Sequence, residues 1–121
     1  MSIQSYRDLV VWQKAMDLAE QCYQATKSFP SEERFGLTNQ IRRAAVSVPS
    51  NIAEGHGRSH TKEFLNHLSM AKGSLCELET QLQLGVRVGY MSDGVLRPVM
   101  ALSDEVGRML SGLRQKLEQR L

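Results

Sequence analysis

Four apolar stripes at helical spacing, separated by short breaks, constrain this chain more than any other feature. The third stripe is the cleanest: Leu65, Leu68, Ala71, Leu75, Leu78, Leu82 and Gly85 recur at intervals of three and four residues, which puts them on one face of an α-helix. That helix starts at Ser59 or Thr61, and Gly89 is its stop signal. The first helix runs from about Tyr6 to Ser28 and carries two adjacent stripes. One is Val11, Ala15, Leu18, Cys22, Ala25 and Phe29; the other, one residue on, is Trp12, Met16, Ala19, Tyr23 and Thr26. Together they make a wide apolar face, and Pro30 prevents continuation.

The second helix begins near Ser31, an N-cap residue type followed by Glu32 and Glu33 in the dipole-favoured first turn. Leu37, Ile41, Ala44, Ala45, Val48 and Ile52 form its core stripe, and Gly55 and Gly57 end it. Pro49 lies inside and removes the hydrogen bond to the Ala45 carbonyl, for which Ser47, Ser50 or a water is a replacement donor. Either the helix continues with a kink, since Ile52 keeps the period, or it stops near Val48 and a loop follows. The fourth helix starts near Ser92 or Asp93, with Val99, Leu102, Val106, Met109, Leu113 and Leu117 as its seam. Pro98 there either kinks the helix or marks its first position after a short turn. Short connections make successive helices antiparallel neighbours. The expectation is an all-α, up-down-up-down four-helix bundle about 38 Å long, from helices of about 25 residues.

Bulk properties agree. A chain of 121 residues fits one domain, residues 1–121, and 6% aromatic residues favour helices packed by Leu, Ala, Val and Met over a sheet sandwich. Cys22 and Cys76 match no metal spacing or disulfide framework; both sit among apolar residues and are expected as inert core thiols in a reducing, cytoplasmic setting. The start MSIQSYRDLVVW lacks the basic region, apolar run and small-residue cleavage site of a signal peptide, and no apolar stretch approaches the roughly 20 residues of a membrane span. A net charge of +2 and a pI of 8.7 permit contact with phosphates but fall short of the pI of about 9 typical of dedicated nucleic-acid binders.

The stretch Gln40 to Arg58, QIRRAAVSVPSNIAEGHGR, has an unusual second side. With the core stripe centred on Ile41 and Val48, Arg43, Ser47, Ser50 and Glu54 fall opposite it, flanked by Asn39, Val46 and Ala53. Arg43 and Glu54, about three turns apart, cannot bridge each other. Small side chains with one charge at each end describe either a plain solvated face or a subunit interface. Gly73 and Ser74 on the third helix, away from its Leu seam, offer a matching surface, since an interior glycine costs about 1 kcal/mol against Ala without a packing reason. The interface reading assigns Arg43, Ser47, Ser50, Glu54 and Gly73 to oligomer contacts.

Chemistry is harder to find. His56, His60, Glu63 and His67 include i, i+4 pairs, but Gly55 and Gly57 interrupt the first, and neither His-Glu-x-x-His nor Glu-x-x-His occurs. No metal site or cofactor is expected. There is no nucleophile elbow, P-loop or dinucleotide fingerprint, and Gly55-His56-Gly57-Arg58 follows a helix where phosphate cradles precede one. No catalytic residue is assigned and no enzyme is expected. Arg42, Arg58 and Lys62, with Arg43, form the best basic group, and Arg42, Arg58 and Lys62 are the candidate nucleic-acid contacts. No aromatic–basic interleaving marks a stacking platform, but an oligomer would multiply a weak patch.

The runs DLVVWQKAMDLA, FPSEERFGLTNQIRRAAVSVPSNIAEGHGR and EFLNHLSMAKGSLCELETQLQLGVRVGY strongly resemble the four-helix bundle proteins encoded in intervening sequences of bacterial large-subunit ribosomal RNA genes. The resemblance covers about Tyr6 to Tyr90, and RRAAVSVPSNIAEG is its most specific block. It implies a homopentameric barrel of four-helix bundles. A related branch, the accessory protein of diversity-generating retroelements, binds nucleic acid and contacts a reverse transcriptase; it is markedly basic, whereas this chain is not. The motif positions Arg42, Arg43, Ser47, Pro49, Asn51, Glu54, Gly55 and Arg58 read as folding and assembly residues first. The leading expectation is therefore a non-enzymatic, homo-oligomeric scaffold, a pentamer by the resemblance, whose partner is RNA, DNA or a nucleic-acid enzyme such as a reverse transcriptase. The alternative is a bundle that holds a metal or small ligand at its histidine-rich end.

Overall fold

The computed structural model describes residues 5–121; residues 1–4, the start of the segment read above for a signal peptide, lie outside them. Four helices carry the fold: α1 (Val10–Thr26), α2 (Leu37–His56), α3 (Thr61–Arg87) and α4 (Asp93–Glu118). There is no strand among the described residues. Two short 3-10 turns, Tyr6–Asp8 and Ser31–Glu33, precede α1 and α2. Each helix packs on its two neighbours in the cycle α1–α2–α3–α4–α1, while the diagonal pairs stay apart. Leu9, His56, His60 and Leu117 line one cavity, so the start of α1, the end of α2, the start of α3 and the end of α4 share one end of the bundle. The helices therefore alternate in direction.

The core lies along the bundle axis. Leu18, Cys22, Ile41, Val48, Ile52, Leu68, Leu78, Leu82 and Val106 are completely buried. Within α3 the observed buried set is Leu68, Ala71, Leu75, Leu78, Leu82 and Gly85, with Leu65 half-buried, so the Leu seam behaves as its spacing predicts. In α4 the seam is rotated from the expected one. Ser103, Gly107 and Leu110 are buried with Val99, Val106 and Leu117, while Leu102, Met109 and Leu113 are only half-buried. The small residues allow this. Ser103 satisfies its buried hydroxyl by donating to Glu79 on α3, and a Cβ at Gly107 would stand 3.2 Å from Lys72 Nζ and 3.4 Å from Leu75 Cδ2.

Helix ends differ from the sequence reading in two places. α2 does not begin near Ser31: Ser31–Glu33 is a separate 3-10 turn, and the α-helix starts at Leu37. Glu33 makes the junction. Its Oε1 accepts from the Leu37 N–H at 2.9 Å, capping α2 from four residues upstream, and its Oε2 accepts from the Tyr90 hydroxyl at 2.9 Å. The first helix likewise opens as a 3-10 turn capped by Ser5, with a reciprocal Asp8 contact, before α1 proper starts at Val10.

Both internal prolines sit within continuous helices. α2 runs through Pro49, which is buried. Ser47, one replacement donor for the freed carbonyl, bonds Ser74 instead. α4 starts at Asp93 with Ser92 as its cap, Ser92 Oγ accepting from the Val95 N–H at 3.2 Å, so Pro98 lies inside it and not at its first position. Gly89, at φ +83°, takes the left-handed conformation that closes α3. Cys22 is buried as expected, but Cys76 is exposed: it lies on the outer side of α3 between the buried Leu75 and Leu78, and apolar neighbours in sequence do not cover it.

Candidate functional site

The positions singled out from the sequence separate onto different surfaces. α2 packs on both α1 and α3, so its buried arc is wide, and the face opposite Ile41 is narrower than a simple helical wheel suggests. Ser47 does not point outward. Its Oγ lies 2.8 Å from Ser74 Oγ on α3, and Asn51 Nδ2 donates to both the Ser47 carbonyl and its Oγ, at 2.9 and 3.1 Å. Asn51 Oδ1 meets His67 Nδ1 at 3.1 Å; since the amide nitrogen is donating to Ser47, the oxygen accepts, and His67 Nδ1 carries the proton. Ser74, Ser47, Asn51 and His67 thus form a polar ladder along the α2–α3 seam. Ser47 and Ser74 meet within one chain, where the sequence reading set them on opposing subunits.

Glu54 and Arg58 also find each other. Arg58 donates to Glu54 Oε1 at 3.0 Å and reaches Glu63 at 3.9 Å. Two carboxylates offset the charge of Arg58, which weakens it as a phosphate contact. Ser50 and Arg43 are exposed, and Arg43 has no ion pair among the described residues. Gly73 is exposed too, and a Cβ there would meet nothing within 4 Å. No contact within the described chain accounts for a glycine at that position.

Arg42 is an inter-helix tie. Its Nε donates to Thr26 Oγ1 at 2.9 Å, a terminal nitrogen reaches the Tyr23 carbonyl at 3.4 Å, and the guanidinium sits 4.6 Å over the Tyr23 ring. Arg42 and Arg58 lie about 24 Å apart along α2 at 1.5 Å per residue, and Lys62 is exposed beyond the α2–α3 turn. The three nucleic-acid candidates therefore do not form one patch.

At the histidine end, a cavity of about 510 Å³ is lined by His56, Arg58, His60, Lys116 and Arg120 among others. His56 packs edge-on to Phe64, with ring centroids 5.9 Å apart, and His67 is held by Asn51. No group of three His, Cys, Asp or Glu side chains converges among the described residues. The lining is cationic, which suits an anion better than a metal ion. Burial pushes the Cys22 thiol up to about 12, so it stays protonated and unreactive in the folded chain.

Sequence reasoning missed two features. The first is a groove between α1 and α2 lined by Trp12, Met16, Tyr23, Val46, Pro49 and Ala53, with Ser50 at its edge. The α1 members were legible as a second apolar stripe; that the bundle leaves Met16 and Tyr23 of it exposed was not. The second is a pocket at the start of α2 where Arg34, Arg42 and Arg43 meet. These arginines are spread along the chain, and only the 3-10 turn brings Arg34 beside the others.

The model of the 23S rRNA-intervening sequence proteins matches residues 7–112. The chain belongs to that family. The family match extends through most of α4, which the sequence resemblance left out. A solved structure of a protein of unknown function from the S23 ribosomal protein family of Bacteroides thetaiotaomicron VPI-5482 is similar to this chain at 25% identity, with a TM-score of 0.81 over 88% of this chain and 96% of that one. No curated protein matches at a significant level. No helix among the described residues is long and apolar enough to cross a membrane.

Proposed function

We propose that this family member is a non-enzymatic homo-oligomeric scaffold, a pentamer working in the cytoplasm, whose assembled surface holds a nucleic acid or a nucleic-acid enzyme. The observation that carries the oligomer is the uncovered α1–α2 groove. Met16, Tyr23 and Val46 of the groove are each between 42% and 45% exposed, although Met16 and Tyr23 lie on an apolar stripe of regular helical spacing. Contiguous apolar surface of this kind in a small domain favours a protein partner, and a second copy is always present at matching concentration. A five-membered ring is built from two different surfaces on each subunit. The α3 patch around Met70, 49% exposed, and the open Gly73 is the complementary surface we assign to the neighbour. Ser50 lines the groove and keeps its assignment to the interface; Arg43 does not line it, and Ser47 and Glu54 are already bonded within the chain.

The test places a charge in the groove. Val46→Glu, on an exposed face, leaves the helical circular dichroism unchanged and lowers the mass measured by light scattering. An unchanged mass would remove the groove as the interface. The nucleic-acid half is tested separately by fluorescence anisotropy across a salt series, because phosphate contacts weaken with log salt. The alternative, a small ligand at the histidine end, is favoured by the 510 Å³ cationic cavity. Metal analysis of the purified protein and of His60→Ala separates a metal from an anion there.

A further inference from the structure

An open pocket of about 500 Å³ runs along α2 from Thr38 to Ser47, with Arg34 before it and Tyr23 of α1 beside it; Arg34, Arg42 and Arg43 all contribute to it, and no carboxylate lines it. Three arginines bordering one space favour an anion there. Thr38 also lines the pocket. It is 7% exposed, and its Oγ1 has no hydrogen-bond partner, an unusual state for a buried hydroxyl. Glu33, the nearby carboxylate on the 3-10 turn, has both oxygens committed to the Leu37 N–H and the Tyr90 hydroxyl. The opposite end of the bundle is less suited, since Arg58 is already flanked by Glu54 and Glu63.

Two aromatic rings flank the pocket. Tyr23 is 42% exposed beneath Arg42, and Phe35 is 83% exposed beneath Arg34, with guanidinium-to-centroid distances of 4.6 and 4.8 Å. An almost fully exposed Phe beside a cationic pocket has no role in the bundle core. We infer that this pocket seats a backbone phosphate of a single-stranded nucleic acid, with a neighbouring base stacked on Phe35. Arginines suit the phosphate because their planar donors match its oxygens bidentately. Exposed rings suit a single strand because only unstacked bases are free to use them. The inference rests on the nucleic-acid half of the proposed function and gives it an address that neither Arg58 nor Lys62 shares.

The test uses the full-length protein and a dye-labelled single-stranded oligonucleotide, read by anisotropy over a salt series, with a duplex of the same sequence alongside. The variants are Arg34→Gln/Arg43→Gln, Phe35→Ala, and Arg97→Gln as a control on exposed α4. Arg42 is left intact because it ties α2 to α1. The double variant should bind at least about tenfold more weakly at low salt, and its slope of log K against log salt should fall by about 0.7, the value for one phosphate contact on a single strand. Phe35→Ala should weaken single-strand binding by about fivefold or more and duplex binding little. Arg97→Gln should match wild type. If wild type binds and the pocket variants bind equally well, the pocket is wrong and the wider reading stands. If wild type binds no strand at low salt, both fall. If the double variant instead lowers the oligomer mass, a carboxylate of a second copy fills the pocket, and the inference is overturned.

Discussion

Gly55 marks the tightest point of the α2–α3 contact. A Cβ there would lie 2.7 Å from His67 Cβ and 3.0 Å from Phe64 Cδ1. The first of these is a side-chain root that cannot swing away, so Gly55→Ala must push the two helices apart. We expect a loss of about 1–3 kcal/mol, as for other overpacked sites, measured by urea unfolding. In the sequence Gly55 reads as a helix terminator, yet α2 passes through it to His56. A glycine near a helix end gives the same local signal whether it stops the helix or admits a neighbour, and only the packed α3 tells the two apart. Glu33 is a second such position. The Leu37 N–H and then the Tyr90 hydroxyl hold its carboxyl below the ordinary value. A lowered folded value means a stabilisation present above the ordinary glutamate range near about 4.3 and lost as the pH falls through the lowered one. Glu33→Gln should therefore melt below wild type at pH 7, and the gap should close in acid. A gap that persists in acid would show that the cap works without its charge.

Along α2, the sequence supplied the buried stripe and left two readings at Pro49, of which the continuous helix is the one found. It did not supply the sideways neighbours. Winding the helix placed Ser47 outward, whereas packing against α3 turns it into a ladder with Ser74, Asn51 and His67. Periodicity reports which residues are apolar; a short polar residue at a helix seam looks the same as one in solvent. α4 shows the same limit, since its buried face includes Ser103 and Gly107, which no hydrophobic pattern would select. Asn51 is the centre of the ladder, contacting Ser47 on one side and His67 on the other. Asn51→Ala should cost about 1–3 kcal/mol by urea unfolding, because it leaves the half-buried His67 imidazole without its acceptor and the Ser47 carbonyl without the Asn51 donor. Asn51→Asp keeps the acceptor for His67 but sets a carboxylate oxygen against the Ser47 carbonyl, so it should not restore that stability.

The bundle as a whole covers one apolar stripe of α1 and only part of the other, burying Ala19 and Thr26 and leaving Met16 and Tyr23 exposed. These exposed side chains, with the open surface at Gly73, are what the proposed oligomer rests on. The all-helical fold was readable from four periodic segments because helix–helix packing depends on local spacing. The arginine pocket was not, because it depends on where a 3-10 turn delivers Arg34. Oligomerisation is the claim on which the account turns, and the molar mass of the unmodified protein in solution, by light scattering over a range of concentrations, tests it most directly. The account predicts five times the 13.6 kDa chain mass, held constant on dilution. A mass of one chain at every concentration would contradict it.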